Sequence, residues 1–498
     1  MLFLGYDIGS SSIKACLLDA DTGTVMASAT SPPAELAIQS PRQGWAEQDP
    51  ELWWTHIKGA TAKLLDLAAV DTARIGGIGI GYQMHGLVMV DRRQQVLHPA
   101  IIWCDGRAVD IGARAFKGLG RDFCLQHYLN SPGNFTASKL KWVKEHKPEV
   151  YENIHKIMLP GDYIAMKLSG KISTSLSGLS EGIFWDYQAE GMALDLLDHY
   201  GISPDLLPDA QPNFSVSGEL TEEAAKELGL TAGIPISYRA GDQPNNALSL
   251  NVMEPGEVAA NAGTSGVIYG VTDKPRYDTK SRVNTFLHVS HDNETPRYGV
   301  LLCINGTGIQ NNWLKASLLS DRYSYEAMNR RAAEIPIGSE GVCVLPFGNG
   351  PERVLEHKDI GAQVRNINFN RHSEAHVMRA AQEGICFSLN YGLNVMKAMG
   401  MAVDTIRVGS DNMFQSPVFR EAFVNATGTT VEVLDTNGAL GAAIGAGIGT
   451  GHFQSRAEAV KNIDKITTLY PEPEKEQAYS EAYEKWKSVL QQELSTEG

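Results

Sequence analysis

Two short stretches of this chain resemble each other, although about half of its length separates them. The first is Asp7-Ile8-Gly9-Ser10-Ser11-Ser12-Ile13 and the second is Asn261-Ala262-Gly263-Thr264-Ser265-Gly266-Val267, each between apolar runs typical of β-strands. In such a turn, glycine lets the backbone approach a ligand, and hydroxyl and amide groups can hold phosphate oxygens. The repeat predicts two related α/β domains that face each other across a cleft. A plain β-hairpin with a polar tip is the alternative for either turn taken alone.

A lone acid, Asp242, follows an apolar run and a turn-forming glycine in the stretch Tyr238–Asn246. An acid at a strand end, close to a turn rich in backbone donors, suits phosphoryl transfer because it can accept the proton of an attacking hydroxyl. Asp7 ends the first predicted strand, where it can hold Mg²⁺ through water. For Asp242, a helix cap or turn acid is the alternative, since Asp is a common turn residue.

Length and composition narrow the classes of protein. At 498 residues the chain is too long for one core, so two or three domains are expected. Its 43 basic and 58 acidic residues give a formal charge of −15, which disfavours nucleic acid or an anionic membrane as the main partner. The six cysteines are scattered without a CxxC pair, as in a reduced cytosolic protein. With no secretory leader and no apolar run of ~18 residues, we expect a cytoplasmic protein that does not span a membrane.

Further motifs extend the pattern along the chain. They are Trp45-Ala46-Glu47-Gln48-Asp49-Pro50, Gln83-Met84-His85-Gly86, Trp103-Cys104-Asp105-Gly106-Arg107, Lys139-Leu140-Lys141-Trp142, Leu159-Pro160-Gly161-Asp162-Tyr163, Gly241-Asp242-Gln243 and Gly409-Ser410-Asp411-Asn412. Together with the two turns, they resemble the FGGY family of carbohydrate kinases over about residues 2 to 450. The resemblance implies an α/β, two-domain actin-like ATPase (ribonuclease H-like) fold with a cleft between duplicated domains. The expected domains are residues 1–240, 241–450 and a C-terminal helical segment, 451–498.

The resemblance also implies a role for each motif. Asp242 is the expected catalytic base, and Asp7 the expected metal ligand. The expected sugar-binding residues are Met84, His85, Trp103, Asp105, Asp242 and Gln243, with His85 donating to a sugar oxygen and Asp105 accepting from sugar hydroxyls. The expected nucleotide-binding residues are Gly9, Ser10, Ser11, Ser12, Lys14, Gly263, Thr264, Ser265, Gly409, Ser410 and Asn412. A satisfied core histidine, a loop salt bridge between Asp105 and Arg107, and an ordinary strand-to-helix turn at Gly409 are the respective alternatives.

The implied activity is transfer of a phosphoryl group from ATP, with Mg²⁺, to the C5 hydroxyl of a ketopentose. The pocket motifs most resemble those of the members that phosphorylate D-xylulose, although Cys104 and Gln243 replace residues common there. The same chemistry on L-ribulose, glycerol or gluconate is one alternative. An actin-like or chaperone-like ATPase, or an inactive sugar sensor, is another, although neither class needs the complete set of catalytic and sugar-side residues. The expected partners are a small sugar and ATP, and a homodimer is left open.

Overall fold

The computed structural model describes residues 1–350 and 352–496, and two mixed β-sheets form its centre. The first sheet has six strands in the order Phe214–Glu219, Pro235–Gly241, Ile75–Tyr82, Leu2–Ile8, Ile13–Asp19 and Thr24–Ser31. Its three middle strands are parallel, and their pairing places Ile8, Tyr82 and Gly241 side by side. The residues that follow these three strands therefore meet at one edge of the sheet: the Gly9 turn, the Met84–His85 loop and Asp242.

The second sheet repeats this plan. Its order is Asn284–Leu287, Tyr298–Ile304, Gly266–Thr272, Glu257–Ala262, Thr405–Gly409, Thr430–Leu434 and Lys465–Leu469. Again an antiparallel hairpin leads into parallel strands, with Glu257–Ala262, Thr405–Gly409 and Thr430–Leu434 side by side. The predicted duplication is thus confirmed: the turn after Ala262 corresponds to the turn after Ile8. The loop after Gly409 and the loop before Gly438 open at the same edge.

Helices and short strands cover the two sheets. The α-helices are Pro50–Ala68, Val109–Gly118, Arg121–His127, Thr136–His146, Pro148–Tyr151, Pro160–Ser169, Leu176–Glu181, Leu194–Tyr200, Glu222–Leu228, Asp242–Ser249, Gly308–Trp313, Tyr325–Ala333, Glu374–Ala398, Pro417–Thr427, Gly438–Gly449, Arg456–Val460 and Pro473–Thr496. The short strands are Glu47–Gln48, Val88–Val90, Ala100–Ile101, Lys156–Met158, Thr174–Ser175, Trp185–Asp186, Gly191–Met192, Ala210–Gln211, Cys343–Phe347 and Gly361–Arg365. Within the described residues, no helix combines the length and apolarity needed to cross a membrane.

Two helices each pack against the half of the molecule opposite to the one that they follow in the chain. Helix Asp242–Ser249 leaves the first sheet, and its Ala247 is buried with apolar residues of the second sheet. Helix Gly438–Gly449 comes from the second half and packs on the first sheet. Small residues allow this close approach, because a methyl group at Gly79 would collide with the Ala442 carbonyl. The crossing joins the two halves below the edge where the functional loops meet.

Two segments differ from expectation. The polar, irregular sequence of residues 273–298 is typical of a surface excursion, but this stretch contains the edge strand Asn284–Leu287, whose Phe286 is buried. The C-terminal segment, predicted to be helical, also supplies the strand Lys465–Leu469 to the second sheet. Its long helix Pro473–Thr496 buries Trp486 and Leu490 in the core of the second half. Both stretches have only a weak strand pattern in their sequence, but each forms an edge strand. Pairing with the neighbouring strand outweighs local propensity.

Candidate active site

A cleft of about 170 Å³ opens where the strand ends of the two sheets face each other. We call it the acidic cleft. Six residues that the sequence singled out line it: Asp7, Gly9, Lys14, Asp242, Gln243 and Gly409. Eight residues to which the sequence analysis gave no role complete the wall, namely Asn246, Ala260, Asn261, Asp411, Phe414, Thr436, Asn437 and Gly438. Asn246, Asn261 and Asp411 lie within the stretches quoted there. The fold therefore gathers groups from distant parts of the chain at one place.

Asp242 is the first residue of its helix and follows strand Pro235–Gly241 directly. Burial raises the pKa of its carboxyl from 3.8 to about 7, and the nearby charge of Asp7 adds to the effect. A carboxyl with a pKa near neutrality is well matched to accepting a proton from a hydroxyl group. This is the range expected of a general base.

Asp7 lies across the cleft from Asp242. Burial raises the pKa of its carboxyl, and the ammonium of Lys14 opposes that shift. The carboxylate lies against the backbone at Gly438, because a methyl group there would come within 2.7 Å of Asp7 Oδ2. The carboxylates of Asp7 and Asp242, with Asp411 in the same wall and amide side chains around them, are a donor set that fits a hard divalent cation. No cluster of three or more acidic, His or Cys ligands occurs in residues 1–350 and 352–496, so water and phosphate oxygens would complete the coordination.

The two turns that carry the predicted hydroxyl groups follow strands of opposite sheets. Gly9 of the first turn and Asn261, just before the second turn, line the acidic cleft, whereas the other predicted turn residues lie outside its lining: Ser10, Ser11, Ser12, Gly263, Thr264 and Ser265. In the first turn the Gly9 amide donates to the Ser12 carbonyl at 3.0 Å, which closes the loop. In the second turn the Gly263 carbonyl accepts from Gly308 at 2.7 Å, so the helix Gly308–Trp313 begins against this turn. Ser10, Ser12, Gly263 and Ser265 are partly exposed, and Ser11, Lys14 and Thr264 are exposed, so their polar groups face solvent. These placements suit a polyanionic ligand.

The Gly409 loop lies beside the second turn. Asn412 has a φ of 54° and its side chain lies 3.6 Å from the position of a Cβ at Gly263. Ser410, in the same loop, is partly exposed. Next to this loop, the Asn437 side chain caps helix Gly438–Gly449 by accepting from the Leu440 amide at 3.0 Å. In the sequence, this part of the wall is indicated by Asn437, a residue type that favours a helix N-cap, directly before a run of small residues that begins at Gly438.

A second group of residues, the His85 pocket, adjoins Asp242. It comprises Met84, His85, Phe135, Glu181 and Phe286. Met84 and Glu181 press on Gly241, since a methyl group there would lie 2.6 Å from Met84 Cγ and 2.6 Å from Glu181 Oε2. The pocket therefore begins at the residue that precedes Asp242.

Glu181 holds His85 in an unusual conformation. His85 has a φ of 61°, which is sparsely populated for a residue with a side chain. Its amide donates to Glu181 Oε1 at 3.1 Å, and its Nδ1 lies 3.0 Å from the Glu181 carbonyl. Burial raises the pKa of the Glu181 carboxyl well above its ordinary value, and the charges of Asp162 and Asp242 add to this. Sequence reasoning missed Glu181, because nothing in the order of residues places it next to His85.

The ring of His85 is neutral and its tautomer is defined. Burial lowers its pKa to about 3, assisted by the charges of Lys139 and Arg353. A carbonyl can only accept, so Nδ1 carries the proton toward Glu181 and Nε2 keeps its lone pair. This corrects the expectation that His85 donates: Nε2 can accept a hydrogen bond from a ligand hydroxyl. Phe135 and Phe286 flank the ring, with centroids 4.8 and 5.4 Å away.

Lys139 stabilises the loop that carries His85. It is fully buried, and its Nζ donates to the carbonyls of His85 and Ile102 at 2.8 and 2.9 Å. Burial lowers the pKa of its ammonium to about 8, while Asp105 opposes the shift. Lys139 therefore joins the His85 loop to the start of the Trp103 loop, since Ile102 directly follows the strand Ala100–Ile101.

The two residues expected from the Trp103 loop differ in outcome. Trp103 is 40% exposed, and its Nε1 lies 3.4 Å from Ser10 Oγ, close to the first turn. Asp105 is fully buried, and both of its carboxylate oxygens are occupied: Oδ1 accepts from the Arg107 amide and Nε, and Oδ2 accepts from Arg107 Nη2 and the Ala46 amide. No carboxylate oxygen is left for a ligand, so the expected sugar contact of Asp105 is corrected to a buried ion pair that shapes the loop.

Comparison with known proteins places this site in a family. The model of the FGGY family of carbohydrate kinases, N-terminal domain, matches residues 2–249, and the C-terminal domain of the same family matches residues 258–450. The xylulose kinase of Bacillus subtilis (strain 168) is 28% identical over 494 residues, covering 98% of this chain and 96% of that protein.

Solved structures agree with this placement. The xylulose kinase from Rhodospirillum rubrum has a TM-score of 0.87 at 27% identity and covers 99% of both chains. The gluconate kinase from Lactobacillus acidophilus has a TM-score of 0.88 at 22% identity, over 99% of this chain and 98% of that one, a likeness that shows the fold alone. The two-domain actin-like fold expected from the sequence is confirmed, and the chain belongs to the FGGY family of carbohydrate kinases and is a sugar kinase.

Proposed function

We propose that this kinase transfers the γ-phosphoryl group of ATP to the C5 hydroxyl of D-xylulose, with Asp242 as the general base. One observation carries the proposal: Asp242, with a pKa of about 7, lies between the His85 pocket and the acidic cleft. A hydroxyl placed at this junction meets a base on one side and a phosphoryl donor on the other. Relatives named xylulose kinase support the choice of sugar.

The His85 pocket orients the sugar. His85 Nε2 accepts from one sugar hydroxyl, while Met84 offers an apolar wall and Trp103 closes the side toward the first turn. A pocket with placed polar groups rejects a sugar that leaves them unpaired, at about 1–3 kcal/mol for each buried group. Gln243, next to Asp242 on the cleft wall, supplies a further amide for the sugar.

The acidic cleft holds the nucleotide. Backbone amides and hydroxyls of the Gly9–Ser12 turn and of Gly263, Thr264 and Ser265 bind phosphate oxygens, assisted by Lys14. Gly409, Ser410 and Asn412 leave room for the adenine and ribose. Asp7 would hold Mg²⁺, and the bound ion would neutralise charge on the phosphates. Catalysis then rests on positioning and on removal of the hydroxyl proton by Asp242.

A substrate panel tests the proposal. Purified enzyme is given ATP, Mg²⁺ and one of D-xylulose, L-ribulose, glycerol or D-gluconate, and ADP release is followed by a coupled assay. We expect the highest kcat/KM with D-xylulose and little ADP release without sugar. A higher kcat/KM with another sugar would reject the xylulose assignment and keep the kinase. Sugar-independent ATP hydrolysis at the same rate would reject the sugar-linked mechanism itself.

A further inference from the structure

Arg353 belongs to the second half of the chain but reaches the His85 pocket of the first. It begins the short helical turn Arg353–Leu355. Its guanidinium carbon lies 5.4 Å from the centroid of the Phe135 ring, and a methyl group at Gly133 would lie 3.1 Å from its Nη2. Phe135 in turn packs edge-on against the His85 ring at 4.8 Å. The guanidinium therefore stands at the wall of the His85 pocket.

The charge of Arg353 lacks an acidic partner within residues 1–350 and 352–496, since it forms no ion pair there. Its contacts are two long ones, from Nη1 to the Ser281 carbonyl at 3.4 Å and to Ser281 Oγ at 3.5 Å. By contrast, the buried guanidiniums of Arg107, Arg239 and Arg379 all meet carboxylates, at 2.7, 3.0 and 2.8 Å. Burial lowers the pKa of Arg353 to about 10, and no acidic group opposes that shift. Hydrogen-bond acceptors on a ligand would therefore stabilise the guanidinium of Arg353.

The order of contacts gives the pocket a direction. Asp242 follows Gly241, on which Met84 and Glu181 press, Glu181 binds His85, and His85 packs on Phe135 below Arg353. Asp242 and Arg353 thus stand at opposite ends of this series. A linear sugar lying along this series, with its reacting hydroxyl at Asp242, would have its other end near Arg353.

We propose that Arg353 binds the end of the sugar opposite the hydroxyl that is phosphorylated, donating to a pair of oxygen acceptors there. This inference rests on the proposed function, because it takes a sugar with its reacting hydroxyl at Asp242. A guanidinium offers only donors, in a planar fork, so it fits two adjacent oxygens. In a 2-ketose these are the C1 hydroxyl and C2 carbonyl oxygens, and in an aldonate they are the carboxylate oxygens. Because Arg353 comes from the second half, sugar binding would also draw the two halves together at this end.

The test compares Arg353→Met and Arg353→Lys with the wild type. Met keeps most of the apolar stem on Phe135 and removes the donors. We expect Arg353→Met to raise KM for D-xylulose by about 10- to 100-fold, the loss typical of a charged hydrogen bond, with KM for ATP and kcat within about threefold. Arg353→Lys, which keeps charge without the fork, is expected to lie between the two. Arg276→Met is the matched control, because that guanidinium binds the Met399 carbonyl at 2.7 Å within the second half.

Binding without nucleotide separates a sugar contact from a purely structural one. The rise in melting temperature caused by D-xylulose, xylitol or D-xylonate alone is measured for each variant. In one outcome for Arg353→Met, the rise in melting temperature caused by D-xylulose falls by more than the rise caused by xylitol, which has no carbonyl. That result supports a contact between Arg353 and the C2 carbonyl of the ketose. A wild-type shift largest with D-xylonate and absent in Arg353→Met supports reading of a carboxylate. Sugar KM and sugar-induced shifts equal to the wild type in both variants would overturn the proposal, as would equal rises in KM for sugar and ATP.

The outcome for Arg353 is separable from that of the proposed function. A wild-type enzyme that does not phosphorylate D-xylulose rejects the proposed substrate. The same variants are then measured with the sugar that the wild type does phosphorylate. The role of Arg353 fails only when its variants leave the KM for that sugar unchanged.

Discussion

At the scale of single residues, burial sets the chemistry of Asp242. Its pKa of about 7 lies above the ordinary value of 3.8, mainly because the carboxylate loses water and then because Asp7 is near. The stability that the protonated form contributes is therefore fully present below about pH 4 and is lost as the pH rises through about 7. The same titration creates the base, so activity and stability change in opposite directions with pH.

Asp242→Asn tests both effects. We expect kcat to fall by about 10²- to 10⁴-fold, because Asn cannot accept the proton. At pH 8 the variant should melt at the same temperature as the wild type or higher, since it removes a buried charge. For the wild type, kcat/KM should rise with pH through an apparent pKa of about 7. Near-normal turnover in the variant would remove Asp242 from the mechanism, and a lower melting temperature at pH 8 would show that its charge stabilises the fold.

Glu181 is expected to act through His85. Glu181→Gln keeps an oxygen acceptor for the His85 amide, and the raised pKa of the carboxyl makes a neutral replacement a close match. We expect its sugar KM to stay within about threefold of the wild type. Glu181→Ala leaves the buried amide unpaired, a loss of about 1–3 kcal/mol, and should raise the sugar KM by about tenfold without changing the KM for ATP.

Steady-state kinetics for both sugar and ATP decide the point. Rescue by Gln but not by Ala assigns Glu181 to positioning of His85. A Gln variant as impaired as the Ala variant would show instead that the negative charge matters, which contradicts a protonated Glu181. The pH profile of the Gln variant should retain the step near pH 7 that belongs to Asp242.

At the scale of elements, the helix Gly438–Gly449 joins the second half to the first. Its small residues let it lie directly on five strands of the first sheet. Gly79 faces the Ala442 carbonyl and Gly5 faces the Ala439 carbonyl, and in each case an added methyl group would collide with backbone. Backbone cannot move as a flexible side chain can, so these contacts permit no larger residue.

Gly79→Ala should therefore destabilise the protein by about 1–3 kcal/mol or more through overpacking. Urea unfolding followed by circular dichroism measures the change in free energy of unfolding. Gly191→Ala is the matched control, because its new methyl group would lie 3.7 Å from the nearest atom, an ordinary contact. Equal stability of the two variants would mean that the helix does not pack on the first sheet as described.

At the scale of the whole molecule, the ligand groups are divided between the halves. Asp7, the first turn and His85 come from the first half, whereas Gly263, Gly409 and Arg353 come from the second. The two halves also share a buried apolar cluster, to which Phe135 and Phe184 of the first half and Val267 and Phe286 of the second half belong. Ligands that touch both halves should stabilise a more closed arrangement, which excludes water from the phosphoryl group.

Small-angle X-ray scattering tests closure. We expect the radius of gyration to decrease when D-xylulose and a non-hydrolysable ATP analogue are both saturating, with smaller changes for either alone. Arg353→Met should weaken the effect of the sugar. The Arg276→Met variant serves as the control for a general loss of rigidity. A radius and envelope unchanged at saturation would contradict closure.

Sequence by itself determined the duplication, because strand periodicity and the small-residue turns are local signals that recur near Gly9 and Gly263. It also identified two of the acids that line the cleft, Asp7 and Asp242, since both follow predicted strands and parallel strands place their ends at one edge. Family resemblance pointed to Met84 and His85, whose roles as sugar contacts stay predictions.

Only the tertiary structure decided which groups are available. Asp105 has the right type for a sugar contact, but Arg107 and Ala46 occupy its carboxylate. His85 was expected to donate, but the Glu181 carbonyl determines its tautomer and makes Nε2 an acceptor. Glu181, Phe286 and Arg353 reach the pocket from distant parts of the chain, and no local pattern marks such contacts. Periodicity and turn chemistry are properties of neighbours in sequence, whereas burial, tautomer and charge pairing depend on neighbours in space.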